Sequence, residues 1–151
     1  MLLTIDIGNT NITLGLYQGQ ELGPRWRLAT AYEHMPDEYG LQLVGLLAHS
    51  GFSPADLHGI CLASVVPPLT GKIIEACQKY LHLQPLVVDG SLQTGIRILY
   101  QPPDAVGADR IVDALAVLRL YGGPACVVDF GTATTFDAIT AEGDYLGGAI
   151  S

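Results

Sequence analysis

Two segments near opposite ends of the chain share one pattern, and this pattern constrains the fold more than any other feature. Each segment contains an apolar strand, an aspartate, one further residue, a glycine, small polar residues and a second strand. The first copy lies at residues 1–17 and the second at residues 125–140. Both copies predict β-hairpins, and in the first Gly8 and Asn9 would supply the positive φ that a tight turn requires.

The tip of the first hairpin would bring together Asp6, Asn9, Thr10 and Asn11. Backbone N–H groups and short polar side chains at such a turn bind anions, and a carboxylate at its base binds a metal ion or its water. An ordinary Asn-Gly-type turn has the same composition, so one copy alone leaves both interpretations open. Two copies facing each other would hold a polyphosphate from both sides. The pair resembles the hairpins of the acetate/sugar kinase, heat-shock ATPase and actin superfamily, whose two ribonuclease-H-like domains each present one to ATP.

The remaining elements follow in the order that this α/β fold requires. After the first hairpin we expect a strand at 25–29 behind a turn at Gly23 and Pro24, a helix at 36–50, a strand at 60–66, a helix at 69–81 and a strand at 86–88. Hairpin, strand, helix, strand, helix, strand is a ribonuclease-H-like order, and it predicts one complete domain at residues 1–89. Residues 90–151 would hold a crossing segment, a long helix at 104–121, the second hairpin and a strand within 145–150, as the start of a second domain.

Charge and hydropathy limit the partners of the chain. With 15 acidic and 7 basic residues, its net charge of −8 predicts no general attraction to nucleic acid or anionic membranes. No apolar run approaches the roughly 18 residues of a membrane span, and no basic region precedes the first strand, so we expect neither a membrane segment nor a signal peptide. Cys61, Cys77 and Cys126 lie in apolar stretches, which predicts buried, reduced thiols of a cytosolic protein. The four histidines form no metal-ligand pair, which argues against a zinc site.

The entrance of the long helix carries the run Gly107, Ala108, Asp109 and Arg110. An acid followed by a base in a first helical turn is often only a surface pair. Taken in order with the two hairpins and the run 147–150, however, these residues resemble the motifs of the type III pantothenate kinases. The resemblance spans nearly the whole chain, and the Gly-x-Asp-Arg run separates it from the sugar kinases and actins.

The resemblance implies transfer of phosphate from ATP to the primary hydroxyl of pantothenate, the first step of coenzyme A synthesis. It also implies a cytoplasmic homodimer that uses Mg²⁺ and a monovalent cation, K⁺ or NH₄⁺. The residues that it implies for ATP binding are Asp6, Ile7, Gly8, Asn9, Thr10, Asn11, Ile12, Thr13 and Thr132. Those that it implies for pantothenate binding are Tyr100, Gly107, Ala108, Asp109 and Arg110. Asp109 would be the catalytic base, Asp129 would bind the monovalent cation and Asp6 would bind Mg²⁺.

General chemistry agrees with these roles. Phosphoryl transfer needs positioning and charge neutralisation more than covalent help from the protein. We expect the carboxylate of Asp109 to be held ionised by the helix dipole and by the neighbouring guanidinium of Arg110. Arg110 would also offset part of the negative charge of a bound ligand.

Members of this family have two domains of similar size, whereas this chain ends a few strands into the second. We therefore expect residues 1–151 alone to be inactive as a kinase. Two other classes of function remain open: a non-catalytic regulatory or accessory binding protein, like the related Bvg accessory factor proteins, and a different enzyme of the superfamily, such as a sugar kinase or a polyphosphate phosphatase. The intact Asp6, Asp109 and Asp129 favour the kinase, because a binding protein has no need of three carboxylates at an anionic site.

Overall fold

The computed structural model describes residues 1–92 and 94–151. By its internal contacts the chain divides into two compact units, Met1–Val87 and Val88–Ser151. Each unit contains one β-sheet.

The first unit is a five-stranded sheet with the order β3-β2-β1-β4-β5. Its strands are β1 Leu2–Ile7, β2 Asn11–Gln18, β3 Glu21–Ala29, β4 Gly59–Ser64 and β5 Leu86–Val87. Strands β1, β2 and β3 are antiparallel neighbours, whereas β4 runs parallel to both β1 and β5. Because a parallel neighbour requires a crossover connection, helices join β3 to β4 and β4 to β5.

Helices α1 Pro36–His49 and α2 Pro67–Ala76 pack with the sheet around one core, and a π-helical turn at Cys77–Leu81 continues α2. Strand β1 shows how the sequence directs its residues into this core. Leu3, Ile5 and Ile7 are buried, whereas the residues between them are exposed or half-buried. This alternation is the period of two that places successive side chains on opposite faces of a sheet.

One predicted turn in the first unit is wrong. Strand β3 begins at Glu21 and runs through Gly23 and Pro24, and the chain reverses instead at Gly19, whose φ is 62°. The pairing register between β2 and β3 shifts where Gly23 and Pro24 lie. Proline has no N–H to donate, and β3 is an edge strand with such an irregularity, so this is one of the few places where a sheet accepts it.

The second unit contains a three-stranded antiparallel sheet with the order β6-β7-β8. Its elements are a 3₁₀ turn at Pro103–Ala105, helix α3 Ala108–Leu120 and strands β6 Ala125–Phe130, β7 Thr134–Ile139 and β8 Tyr145–Ile150. The predicted start of the long helix at Asp104 is therefore wrong, because a separate turn precedes the helix. Ala108, Ile111 and Ala114 form its buried side, whereas Leu115 and Leu118 are only half-buried.

The three cysteines differ in exposure, which corrects one expectation. Cys77 is buried and Cys61 is half-buried, but Cys126 is exposed. Cys126 and Val128 lie on the same exposed side of β6, while Ala125 and Val127, on its other side, are half-buried. Within residues 1–92 and 94–151, no helix is long and apolar enough to cross a membrane.

Two glycines of α1 provide a matched test of how this helix packs. A Cβ at Gly40 would overlap the ring of Tyr80, which cannot simply turn away because its hydroxyl donates to Asp37, whereas nothing lies within 4 Å of a Cβ at Gly45. We expect Gly40→Ala to cost about 1–3 kcal/mol of unfolding free energy. Gly45→Ala should gain about 0.5–1 kcal/mol, since alanine is the better helix former. Urea unfolding measures both, and equal stabilities would contradict this packing.

The exposure of the thiols predicts their order of reaction. Burial raises the pKa of the Cys77 thiol to about 12 and also raises the pKa of Cys61. Because only the thiolate reacts, iodoacetamide at about pH 8 should modify the exposed Cys126 first and leave Cys77 unmodified in the folded protein. Peptide mass spectrometry of timed samples checks the order, with urea-unfolded protein as the control. Early labelling of Cys77 would show that the core of the first unit opens readily.

Candidate functional site

Four residues, 8–11, separate the last paired residues of the first hairpin, Ile7 and Ile12. Its glycine is needed for a reason that differs from the predicted one. Asp6 is the penultimate residue of β1 and pairs with Thr13, and Ile7 pairs with Ile12. Gly8 donates its N–H to the carbonyl oxygen of Asn11 at 2.9 Å. Neither Gly8 nor Asn9 has a positive φ. A Cβ on Gly8 would lie 3.1 Å from that same oxygen, so close backbone approach, not a left-handed conformation, favours glycine here.

A residue that the sequence analysis missed holds the loop of this hairpin. The hydroxyl of Thr30 donates to the carbonyl oxygen of Gly8 at 2.7 Å, and its N–H donates to the carbonyl oxygen of Thr10 at 3.0 Å. Thr30 directly follows β3, whose last residue, Ala29, pairs with Asn11. With these carbonyl groups bound inside the unit, the loop can present N–H groups and side chains to an anion. A correct prediction of the pairing between β2 and β3 would have placed Thr30 beside this loop.

The loop lies at the carboxyl ends of the parallel strands β1 and β4. Ser64 is aligned with Ile7, and the N–H of Val65 donates to the carbonyl oxygen of Ile7 at 3.0 Å. The hydroxyl of Thr70, in the first turns of α2, donates to that of Ser64 at 2.8 Å. Open α/β sheets bind ligands at this edge. The structure therefore places Asp6 and the following loop where such a fold presents a ligand site.

The second hairpin repeats the first with a loop that is one residue shorter. Asp129 is the penultimate residue of β6 and pairs with Thr135, just as Asp6 is penultimate in β1. Three residues, 131–133, connect the strands, and the N–H of Gly131 donates to the carbonyl oxygen of Ala133 at 3.1 Å. Thr132 lies in this loop and is exposed. The expected equivalence of the two aspartates thus extends to their position in the strand.

The residues present fit metal ions that a bound ligand would share. No group of three or more His, Cys, Asp or Glu side chains converges in the part of the chain that the structure describes. Mg²⁺ is typically bound through one or two carboxylates together with substrate phosphates and water, and Asp6 could be one such ligand. The Asp129 carboxylate lies close to Gly131: a Cβ on Gly131 would be 3.1 Å from Oδ2 of Asp129. Glycine leaves an open space beside that carboxylate.

The expected pantothenate residues Gly107 to Arg110 form the start of α3. The guanidinium of Arg110, however, does not lie beside the Asp109 carboxylate as we predicted. Asp109 Oδ1 accepts the backbone N–H of Arg110 at 2.7 Å. The guanidinium of Arg110 instead approaches Asp137, with Nε 2.8 Å from Oδ1, although that N–H is not aligned for a hydrogen bond. Its Nη2 donates to the carbonyl oxygens of Phe136 and Ala149, at 3.3 and 3.2 Å. The positive charge of Arg110 is therefore held by the β7–β8 ribbon.

Asp137 and Tyr145 are residues that the sequence analysis did not connect with the site. Asp137 is 2% exposed, and its Oδ1 accepts a hydrogen bond of 2.5 Å from the hydroxyl of Tyr145. Burial, and then this hydrogen bond, raise the pKa of Tyr145 well above its usual range. The available signal was the position of Asp137 two residues before the buried Ile139, on the inward side of an alternating strand.

Tyr100, the remaining residue expected in the pantothenate site, packs against β8. Gly147 has a φ of 124°, and a Cβ there would lie 2.9 Å from Cδ2 of Tyr100. Tyr100 also lines a cavity of about 480 Å³ beside β7 and β8, whose walls include Phe136 and Leu146. The β7–β8 ribbon therefore contacts both Tyr100 and Arg110.

Comparison with solved structures defines the class of fold. Three structures each match 99% of this chain with a TM-score of 0.50: YeaZ from Pseudomonas aeruginosa, the Ppx/GppA family member from Aquifex aeolicus and the ethanolamine utilization protein EutJ from Carboxydothermus hydrogenoformans. Their sequence identities are 12%, 11% and 16%, and the match covers 66%, 50% and 50% of those chains. At these identities the likeness shows the fold alone. The predicted α/β fold of the actin-like ATPases is confirmed.

Sequence comparison defines the family within that class. The family model of the type III pantothenate kinases matches residues 2–151. Proteins named type III pantothenate kinase from Thermomicrobium roseum and Moorella thermoacetica are 52% and 54% identical over the whole chain, which spans 58% and 59% of their lengths. The chain belongs to the type III pantothenate kinase family, as its motifs predicted.

Proposed function

We propose that the protein containing this chain transfers the γ-phosphate of ATP to pantothenate and so produces 4'-phosphopantothenate for coenzyme A synthesis. The observation that carries the proposal is the family match over residues 2–151. The position of the acids supports it: Asp6 and Asp129 stand at equivalent places in two hairpins, and Asp109 stands in the first turn of α3.

The two hairpins would bind the nucleotide. The loop that follows Asp6, fixed by Thr30, offers N–H groups and short polar side chains to phosphate oxygens. Residues 6–13 and Thr132 are the proposed ATP ligands. Asp6 would hold Mg²⁺, which neutralises phosphate charge when bound, and Asp129 would hold a monovalent cation beside Gly131.

The start of α3 would bind the acceptor. Gly107, Ala108, Asp109 and Arg110, together with Tyr100, are the proposed pantothenate ligands. Asp109 would take the proton of the attacking hydroxyl as a general base. Positioning and charge neutralisation supply most of the rate in phosphoryl transfer, so one base at the nucleophile is sufficient.

The organisation of the whole protein belongs to the same proposal. Residues 1–89 would be one complete ribonuclease-H-like domain, and residues 90–151 would begin a second. We propose a cytoplasmic homodimer without nucleic-acid or membrane partners, and the net charge of −8 supports the last point. An accessory binding protein is the alternative, and a coupled assay of the full-length protein with ATP and pantothenate separates the two.

Asp109→Asn tests the proposed base. Asparagine keeps the size of the side chain and can still hydrogen-bond the alcohol, but it cannot take a proton. In the full-length protein we expect kcat to fall by roughly 10²–10⁴-fold, the typical contribution of a general base. Affinity for ATP, measured by calorimetry, should stay within a few-fold. Normal turnover of this variant, or a defect confined to ATP binding, would place the base elsewhere.

Asp129→Asn tests the proposed cation site. If Asp129 binds a monovalent cation that offsets phosphate charge, turnover of the unmodified protein should require K⁺ or NH₄⁺. The variant should lose both that dependence and most of the rate. Titration of the chloride salts against a bulky organic cation at constant ionic strength measures the effect. Equal rates in both salts for the unmodified protein would reject the site.

A further inference from the structure

The most deeply buried charge in the described part of the second unit is Asp137, and it lies outside the residues proposed above to bind ligands. Its side chain is 3% exposed, and that of its partner Arg110 is 17% exposed. A buried carboxylate is costly unless it is paired and hydrogen-bonded. Asp137 meets this condition through Arg110 on one side and the hydroxyl of Tyr145 on the other.

The backbone around this pair is shaped to admit the guanidinium. Gly148 pairs with Asp137 across β7 and β8. A Cβ at Gly148 would lie 2.6 Å from Nη2 of Arg110 and 2.6 Å from Oδ1 of Asp137, and it would also collide with the carbonyl oxygen of Phe136. The guanidinium therefore occupies the space that a side chain at position 148 would fill.

Arg110 has two acidic neighbours that compete for its charge. Asp109 is adjacent in sequence, and its carboxylate already accepts the backbone N–H of Arg110. Asp137 is 27 residues away in sequence, but it approaches the guanidinium at 2.8 Å. Among the ion pairs that the structure describes, Arg110 pairs with Asp137 and not with Asp109. The charge of Arg110 is thus held by Asp137.

We propose that Asp137 is a positioning residue that holds the guanidinium of Arg110 on the β7–β8 ribbon and thereby keeps the Asp109 carboxylate free of an ion pair. This rests on the proposed function, in which Asp109 is the base. A guanidinium paired with Asp109 would occupy the carboxylate oxygen that must face the alcohol. The hydroxyl of Tyr145 helps to hold the Asp137 carboxylate in place by donating a hydrogen bond to it.

A double-mutant cycle in the full-length protein tests the proposal. Asp137→Asn removes the charge that retains Arg110, so that Arg110 can pair with Asp109, and kcat should fall about ten-fold or more. Adding Arg110→Met removes the competing charge, so kcat should rise again above that of the single variant. KM for pantothenate should be raised in the double variant, because Arg110 is a proposed pantothenate ligand. The coupling should lie within the roughly 2- to 100-fold range of directly interacting residues.

If Asp137 only stabilised the fold, its replacement would lower the folded fraction and not the rate of each folded molecule. Rates are therefore expressed per folded molecule, with the folded fraction taken from circular dichroism at the assay temperature. A double variant that is no faster than Asp137→Asn would overturn the proposal. If Asp137→Asn does not fold, Tyr145→Phe replaces it, since it removes one hydrogen bond to Asp137 and keeps the ring. It should lower kcat in the presence of Arg110 and have no effect in the Arg110→Met background.

Two controls separate this proposal from the proposed function. Asp144→Asn makes the same chemical change in the ion pair with the exposed Arg97, in the same unit, and should leave kcat unchanged. The Nε–H signal of Arg110 in a nitrogen-15 NMR spectrum should exchange slowly with water in the unmodified protein and rapidly in Asp137→Asn. An unchanged signal would overturn the positioning role even in an active kinase. If the unmodified protein lacks kinase activity, the proposed function fails, while this signal still reports whether Asp137 holds Arg110.

Discussion

The alternation of side chains along two strands is the constraint on which the candidate site depends. In β1 the apolar Leu3, Ile5 and Ile7 enter the core, so Asp6 must lie on the other face, one residue before the loop. A shift of one residue in the pairing of β1 would exchange the faces and bury Asp6 among apolar side chains. Burial of those three residues therefore also fixes the position of the proposed metal ligand, and Asp129 stands at the equivalent place in β6.

Much of the fold could be predicted because its elements have strong periodicity. Both hairpins, helix α1 and the buried strand β4 follow directly from spacing of apolar residues. Local rules failed where context decided the conformation. Pro24 signals a turn in isolation, but an irregular edge strand accepts it. Gly8 suggests a positive φ, but glycine is favoured at this position because a carbonyl oxygen approaches it closely.

The candidate site could be predicted only as far as residues that are near each other in sequence. Asp109 and Arg110 were recognisable as neighbours in a motif, and their adjacency suggested that they pair. Their true relation depends on Asp137, which meets Arg110 only when β7 folds against α3. Thr30 was missed for the same reason, because its contacts with the first loop depend on the pairing of β3 with β2. Such long-range contacts have no local pattern.

Gly148 lies beside both Arg110 and Asp137, so substitutions at these three positions depend on one another. Any side chain there would enter the space of the Arg110–Asp137 pair and would also collide with the carbonyl oxygen of Phe136, so a relative with alanine at this position must move both the guanidinium and the backbone of β7. Loss of Arg110 alone would in turn leave Asp137 as a buried charge without a cation, which favours its replacement as well. Arginine and aspartate at these two positions should therefore covary among homologous sequences, whereas glycine at position 148 should persist even where the pair is lost, because the carbonyl oxygen of Phe136 alone excludes a side chain there.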